Sequence, residues 1–256
     1  MDSTASGHRI TVLAIDTTSP VGSVALTKGD CLLGEYLLAV SAAHSEKILS
    51  MIDHLLKDSG TSLDAVDIVA VSSGPGSFTG LRVGISTAQG LALSLGKDVV
   101  SVPTLEAIAF QARGGREHIC PMIDSRRGEV YAALFRCSPA GDLEKLREET
   151  VITPEKWLEG IREPTVFSGS GACLYYEKIK ALRGDTAAIL PPESGIPRAA
   201  TVARLALRNY LRDRKNELYS ISPVYIRPPE AELHADKRKS SFNPAVSGKP
   251  EREQGP

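Results

Sequence analysis

Long apolar runs, metal-type cysteine spacing and a surplus of one charge are all missing from this 256-residue chain. No stretch approaches the roughly 18 apolar residues of a membrane-spanning helix. The N-terminal MDSTASGHR holds no apolar segment of signal-peptide length, so the sequence reads as a soluble, cytoplasmic protein without a membrane partner. Cys31, Cys120, Cys137 and Cys173 are scattered, and none forms a C-x-x-C pair. They read as buried or free thiols in a reducing compartment, with neither disulfide nor metal. Thirty Lys and Arg against 31 Asp and Glu leave a net charge of −1, which excludes wrapping nucleic acid by charge alone. Any role on nucleic acid has to be shared with a partner.

Catalytic signatures are as sparse. The five histidines, His8, His44, His54, His118 and His234, fall into neither H-x-x-x-H nor H-E-x-x-H, so no metal site is expected. Gly-x-Ser-x-Gly is absent, and no serine stands in a recognisable triad pattern. A Walker A loop and a Gly-x-Gly-x-x-Gly loop are missing too.

What the chain does have is the stretch Ser72 to Gly96, SSGPGSFTGLRVGISTAQGLALSLG. A short buried strand, Val66 to Val71, breaks at Gly74-Pro75-Gly76, a sequence that neither strand nor helix tolerates in its interior. A helix follows, from about Thr79 to Leu95. Leu81, Ile85, Ala88, Ala92 and Leu95 form its core stripe. Gly80, Gly84, Thr87, Gly90 and Ser94 form a second stripe of small residues. Each interior glycine costs roughly 1 kcal/mol relative to alanine, so the small face predicts close approach of another backbone, within the chain or from a partner.

The rest of the chain is organised as a repeat. Strands are predicted at Ile10–Ile15, Gly22–Thr27 and Cys31–Leu38, followed by a helix over Ser45–Lys57 whose apolar face is Ile48, Leu49, Ile52, Leu55 and Leu56. After a strand at Val99–Val102 and a helix at Thr104–Ala112, the opening pattern returns. Ile123-Asp124-Ser125 repeats Ile15-Asp16-Thr17 at an offset of 108 positions. Two α/β lobes, residues 9–101 and 102–200, related by internal duplication are the expected architecture. A short flexible N-terminus, residues 1–8, precedes them. A helix with a closing segment, residues 201–227, and a disordered tail, residues 228–256, follow. In the second lobe the predicted elements are an irregular acidic stretch, helices at Pro154–Gly160 and Ala172–Leu182, a strand at Thr165–Phe167 and a Pro-rich connection. The last long helix spans Thr201–Leu211.

Asp16 and Asp124, each followed by hydroxyl residues at the end of a first strand, admit two readings. They are what a cleft-binding ATPase or small-molecule kinase would use around a metal and phosphate, with Thr17 and Thr18 among the phosphate contacts. Equally, they are residues that close turns.

Five segments together carry a family resemblance. They are Leu13-Ala14-Ile15-Asp16-Thr17-Thr18; Gly74-Pro75-Gly76-Ser77-Phe78-Thr79-Gly80-Leu81-Arg82-Val83-Gly84; Ala88-Gln89-Gly90-Leu91-Ala92; Ile123-Asp124-Ser125-Arg126 with Gly128-Glu129-Val130-Tyr131; and Pro223-Val224-Tyr225-Ile226-Arg227. Over roughly Arg9 to Arg227 the chain resembles the TsaB (YeaZ) family of bacterial tRNA threonylcarbamoyladenosine proteins. The resemblance implies an actin-like, sugar-kinase-type fold of two lobes. It also implies a place in the machinery that puts threonylcarbamoyl on adenosine 37 of tRNAs reading ANN codons. The implied role is that of a non-catalytic partner of the paralogue TsaD. Thr104 and Ile108 align with the paralogue's metal-binding histidines and are not ligands. The older M22 glycoprotease label finds no protease centre in this sequence. Pairing with TsaD is implied through two helices, at Ile48, Met51 and Leu55 on the first and Gly80, Gly84, Thr87, Gly90, Leu91 and Ser94 on the second. The resemblance further implies self-pairing as a homodimer through the same helices, and an ATPase, TsaE, in a ternary complex. tRNA is met through the complex, and ATP is used by the complex without a cofactor bound to this chain alone. Asp16, Thr17, Thr18 and Asp124 would then be the vestige of a nucleotide site.

Overall fold

The computed structural model describes residues 9–39 and 44–226, so the expected flexible N-terminus and disordered tail lie outside the described residues. The first half of the chain runs β1 (Thr11–Asp16), β2 (Val21–Lys28), β3 (Cys31–Ala39), α1 (His44–Asp58), β4 (Ile68–Gly74), α2 (Phe78–Leu95), β5 (Asp98–Pro103) and α3 (Thr104–Gln111). The second half runs β6 (His118–Asp124), β7 (Val130–Cys137), β8 (Leu143–Ile152), α4 (Pro154–Glu159), β9 (Thr165–Ser168), α5 (Ser170–Leu174), α6 (Tyr176–Arg183), β10 (Ala187–Ile189) and α7 (Ala199–Asp213). Among the described residues no helix is long and apolar enough to cross a membrane.

Two five-stranded sheets result, ordered β3-β2-β1-β4-β5 and β10-β9-β6-β7-β8. β1 is antiparallel to β2 and parallel to β4; β6 is antiparallel to β7 and parallel to β9. Strand for strand, the second sheet repeats the first. This duplicated order of strands and helices is the actin-like architecture.

Every residue of β1 is buried. A strand without a solvent face uses its two-residue alternation to separate two cores. Val12 and Ala14 join Ile68 and Ala70 of β4 on the side where α7 packs through Val202, Ala203 and Ala206. Leu13 and Ile15 join Val69 and Val71 on the other side, under Ile48, Ile52 and Leu55 of α1 and Ile85, Ala88 and Ala92 of α2. The second sheet is covered in the same manner. Met122, Ala132 and Leu134 face α4 and α6, while Ile119, Ala133 and Phe135 face Leu105 and Ala109 of α3. Trp157 of α4 is fully buried there, and its indole N–H donates to Cys120 Sγ at 3.1 Å. Burial pushes the Cys120 thiol up to about 12, so it stays a protonated core group.

Several predicted elements are corrected. The acidic stretch expected to be irregular contains β8, an edge strand paired to β7. Both its faces are half-exposed, so its Glu and Lys residues give no apolar alternation to read. The Pro-rich connection holds the short β10. The single helix expected over Ala172–Leu182 is broken into α5 and α6 at Tyr175, which leaves helical geometry at φ −103°, ψ 25°. β4 continues three residues beyond its predicted end, through Ser72 and Ser73 to Gly74, because β5 remains beside it to accept its ladder.

Edges of the first sheet are tied down by polar contacts. The side chain of Glu35 on β3 is almost wholly buried; it accepts from Arg198 Nε at 2.9 Å, from the Ala200 amide at 3.0 Å and from Ser23 Oγ at 3.3 Å. At the opposite edge, Asn216 and Glu217 bond to Val99 and Ser101 of β5, which blunts that free edge. Glu35→Ala is expected to lower stability by about 1–3 kcal/mol, since it strips charge-assisted bonds from three groups at once. A fall in the urea midpoint without a change in slope checks this; an unchanged midpoint refutes it.

Candidate functional site: a helix face and two strand-end aspartates

Asp16 and Asp124 occupy the same place in the two halves, at the C-terminal end of the first strand of each sheet. In α/β sheets this strand end is where ligands are ordinarily held. Each carboxylate closes an Asx turn onto the amide two residues on: Thr18 N to Asp16 Oδ1 at 3.1 Å, Arg126 N to Asp124 Oδ1 at 2.8 Å. The turn-closing reading of the sequence therefore describes both.

The surroundings differ. Asp16 is fully buried, with Thr17 and Thr18 nearly so, and the Thr18 hydroxyl also donates to its carboxylate at 3.0 Å. Burial raises the Asp16 carboxyl to about 6; the neighbouring Ser72 hydroxyl and the Thr18 groups pull it back down. Ser72 Oγ itself completes no well-formed hydrogen bond among the described residues. Asp124 is half-exposed, and the turn after it carries Arg126 and Arg127 at φ 64° and 57°, the left-handed geometry of a tight hairpin.

The Gly-Pro-Gly-Ser loop closes over the first turn. Ser77 N donates to Thr18 O at 2.8 Å, and the Thr17 hydroxyl donates to Gly80 O at 2.6 Å. A Cβ on Gly76 would strike the Thr18 backbone, on Gly80 the Thr17 carbonyl, and on Gly84 the Thr17 hydroxyl. Ser77 caps α2 by accepting from Gly80 N, and Gly96 closes it in the left-handed conformation at φ 63°. In this conformation Asp16 has no open path to a phosphate. The half-exposed Asp124 is the more accessible of the two.

Five of the nine expected interface residues prove to be internal. Ile48, Met51 and Leu55 are buried against the first sheet, and Gly80 and Gly84 are buried against the β1–β2 turn. Those two glycines serve close approach of the chain's own backbone, so Gly84→Leu is not expected to leave the monomer intact. Thr87 and Leu91 are partly exposed, and Gly90 and Ser94 are exposed, with open space where a Gly90 Cβ would stand. Beside them lie two residues absent from the expected interface, Leu49 at 51% and Leu93 at 62% exposure. Leu93 is legible in hindsight, being a large apolar residue off the core stripe of α2. Between α1, the turn that follows it and Leu91 of α2 lies a groove of about 550 Å³, where Leu49, Ile52, Leu56, Leu63 and Leu91 are joined by Asp53 and Lys57.

No cluster of three or more His, Cys, Asp or Glu among the described residues is placed to hold a metal ion. Thr104 and Ile108 are both fully buried.

Gly80→Ala is expected to cost about 2 kcal/mol or more by overpacking, whereas Gly90→Ala should be neutral or stabilising by up to about 1 kcal/mol. Equal midpoints for the two variants in urea would contradict the packing described. For Asp16, a raised carboxyl means that the charged form is the costly one. The cost is absent below about pH 3.8, grows up to about pH 6 and is complete above it. On acidification from pH 7 to 4 the parent should gain roughly 2 kcal/mol relative to Asp16→Asn. Stability differences that stay constant across this range would exclude it.

The chain matches, over residues 38–235, the family model described as TsaD, tRNA N6-adenosine threonylcarbamoyltransferase. The tRNA threonylcarbamoyladenosine biosynthesis protein TsaB of Bacillus subtilis is 30% identical over 226 residues, which cover 87% of this chain and 96% of the relative. The protein of the same name from Haemophilus influenzae is 34% identical over 232 residues, 86% of this chain and 94% of the relative. The solved structure of YeaZ from Pseudomonas aeruginosa superposes with a TM-score of 0.71 at 30% identity, covering 84% of this chain and 99% of that one. These matches run through both sheets, well beyond the Gly-Pro-Gly segment, and the chain belongs to the TsaB (YeaZ) family of tRNA threonylcarbamoyladenosine biosynthesis proteins.

Proposed function

We propose that this chain is the accessory subunit that pairs with a TsaD-family transferase in the threonylcarbamoylation of adenosine 37 in tRNAs reading ANN codons. The observation that carries the reading is the outer face of α2 with its groove. Gly90 has open space above it, Leu93 is largely exposed, and Leu49, Leu56 and Leu91 leave an apolar channel alongside. Exposed apolar side chains gathered on one helix pair are the kind of surface that proteins dock on. A partner helix laid over Gly90 would reach the α2 backbone closely and bury Leu49 and Leu93. The names of the relatives support the pathway, and the burial of Thr104 and Ile108 in the core supports a role without the metal chemistry of the paralogue. TsaE joins this pair in a ternary complex. ATP is used by that complex, and tRNA is met through it. Without the transferase, the same face pairs two copies of this chain.

A rival reading, an actin-fold ATPase or small-molecule kinase, draws on the half-exposed Asp124. It requires nucleotide binding by the isolated chain that Asp124→Asn abolishes.

The test is tRNA threonylcarbamoylation by TsaD, given threonylcarbamoyl-adenylate, TsaE and ATP, with and without this chain. Modification over many turnovers should require the chain, and the chain alone should modify nothing. Gly90→Leu and Leu93→Asp should fold as the parent does yet fail to co-purify with TsaD and fail to support turnover. Turnover that is indifferent to the chain rejects the accessory reading and leaves nucleotide binding as the next measurement.

A further inference from the structure

Arg82 lies at one end of the exposed stripe of α2, which continues through Ser86 and Gly90 to Leu93. Its guanidinium stacks on the Phe78 ring, 4.0 Å from the centroid, and its Nε donates to the Tyr225 hydroxyl at 3.1 Å. Tyr225 in turn packs on Phe78, with ring centroids 4.8 Å apart, and the Val224 amide ties this segment to Ser73 O at 2.8 Å. One face and one of the five donors of Arg82 are therefore engaged, and the two terminal amino groups are left. Among the described residues no carboxylate pairs with this exposed arginine. Arg136, Arg208 and Arg212, also exposed, each carry a carboxylate partner, whereas Arg204 reaches only the Asp30 backbone carbonyl.

A long side chain held in one geometry has already lost its rotamer freedom, so an incoming anion need not order it again. The planar fork then offers two parallel N–H donors to a carboxylate. We propose that Arg82 receives an acidic side chain of the partner that docks on α2, and that Tyr225 and Phe78 are positioning residues for it. This rests on the accessory-subunit reading above and adds the polar contact that fixes the partner's register along the helix. A protein carboxylate fits better than an RNA phosphate. The stripe ends at the exposed, apolar Leu93, which gives a polyanion nothing to pair with and a protein surface something to bury.

The experiment measures the dissociation constant of the pair formed with the TsaD-family protein of the same genome. Parent, Arg82→Ala, Arg82→Glu, Tyr225→Phe and Gly90→Leu are compared at low and high salt. Arg82→Ala should weaken pairing at least tenfold at low salt and flatten the salt dependence, with a melting temperature near the parent's. Arg82→Glu should weaken it further and be rescued by a Lys replacing one acidic residue of the partner. Tyr225→Phe, which keeps the charge and the ring, should fall between parent and Arg82→Ala. If Gly90→Leu blocks pairing while Arg82→Ala pairs like the parent, the proposal for Arg82 is overturned and the docking face stands. If Gly90→Leu also pairs like the parent, the docking face itself is lost. If the effect of Arg82→Ala vanishes in a chain ending at Ile226, the anion belongs to residues 227–256, and the partner assignment is overturned.

Discussion

The seating of the Gly-Pro-Gly-Ser loop and the start of α2 on the β1–β2 turn is the contact on which the first half of the molecule depends. Thr17 and Thr18 lie under that loop so closely that Gly76, Gly80 and Gly84 leave no room for a β-carbon. Two hydrogen bonds, Ser77 N to Thr18 O and Thr17 Oγ1 to Gly80 O, lock the two segments together. This fixes the angle of α2 over the sheet. The angle decides which side of the helix meets the Leu13, Ile15, Val69 and Val71 core and which side is left outside. The same seating shuts Asp16 away from solvent, where burial lifts its carboxyl toward neutrality.

Comparison of the two halves shows how one scaffold is put to two uses. Both close an Asx turn on a strand-end aspartate, and both press a glycine-bearing loop close by: Gly76 on Thr18 of the β1–β2 turn in one, Gly169 on Met122 of β6 in the other. Asp124 N donates to Ser170 Oγ from that second loop. In the first half the turn is sealed and α2 is long and continuous. In the second, the turn is exposed with two arginines in left-handed geometry, and the helix is split at Tyr175. In the first copy the strand-end aspartate is sealed into the packing, and what this half turns outward is the helix surface.

That surface combines features that reinforce one another. In the pairing proposed above, Gly90 would permit approach, Leu49 and Leu93 would supply area to bury, and Arg82 would supply direction. Apolar area alone is poor at fixing register, because a helix can slide along a greasy stripe with little change in buried surface. A charge held at one end by Phe78 and Tyr225 would remove that freedom in the proposed pair. Tyr225 reaches this place because the segment after α7 runs along the β5 edge, held there by Asn216 and Glu217.

By itself the sequence determined the repeat, the strand-loop-helix unit around Gly74-Pro75-Gly76, the core stripe of α2 and the family, since each is carried by local spacing or by a contiguous motif. Periodicity missed β8, whose partner strand supplies the order that its own charged residues do not display, and β10, which is only three residues long. Tertiary structure alone decided what the small face of α2 is for. Spacing placed Gly80, Gly84 and Gly90 on one stripe, but a stripe does not say what approaches it. The β1–β2 turn takes Gly80 and Gly84, and only Gly90 is left facing out. For α1, likewise, five apolar residues read as one face, yet the sheet beneath buries Ile48, Ile52 and Leu55 and leaves Leu49 outside. A helix can turn only one arc of its surface to a flat sheet, and which arc that is depends on contacts far away in the chain.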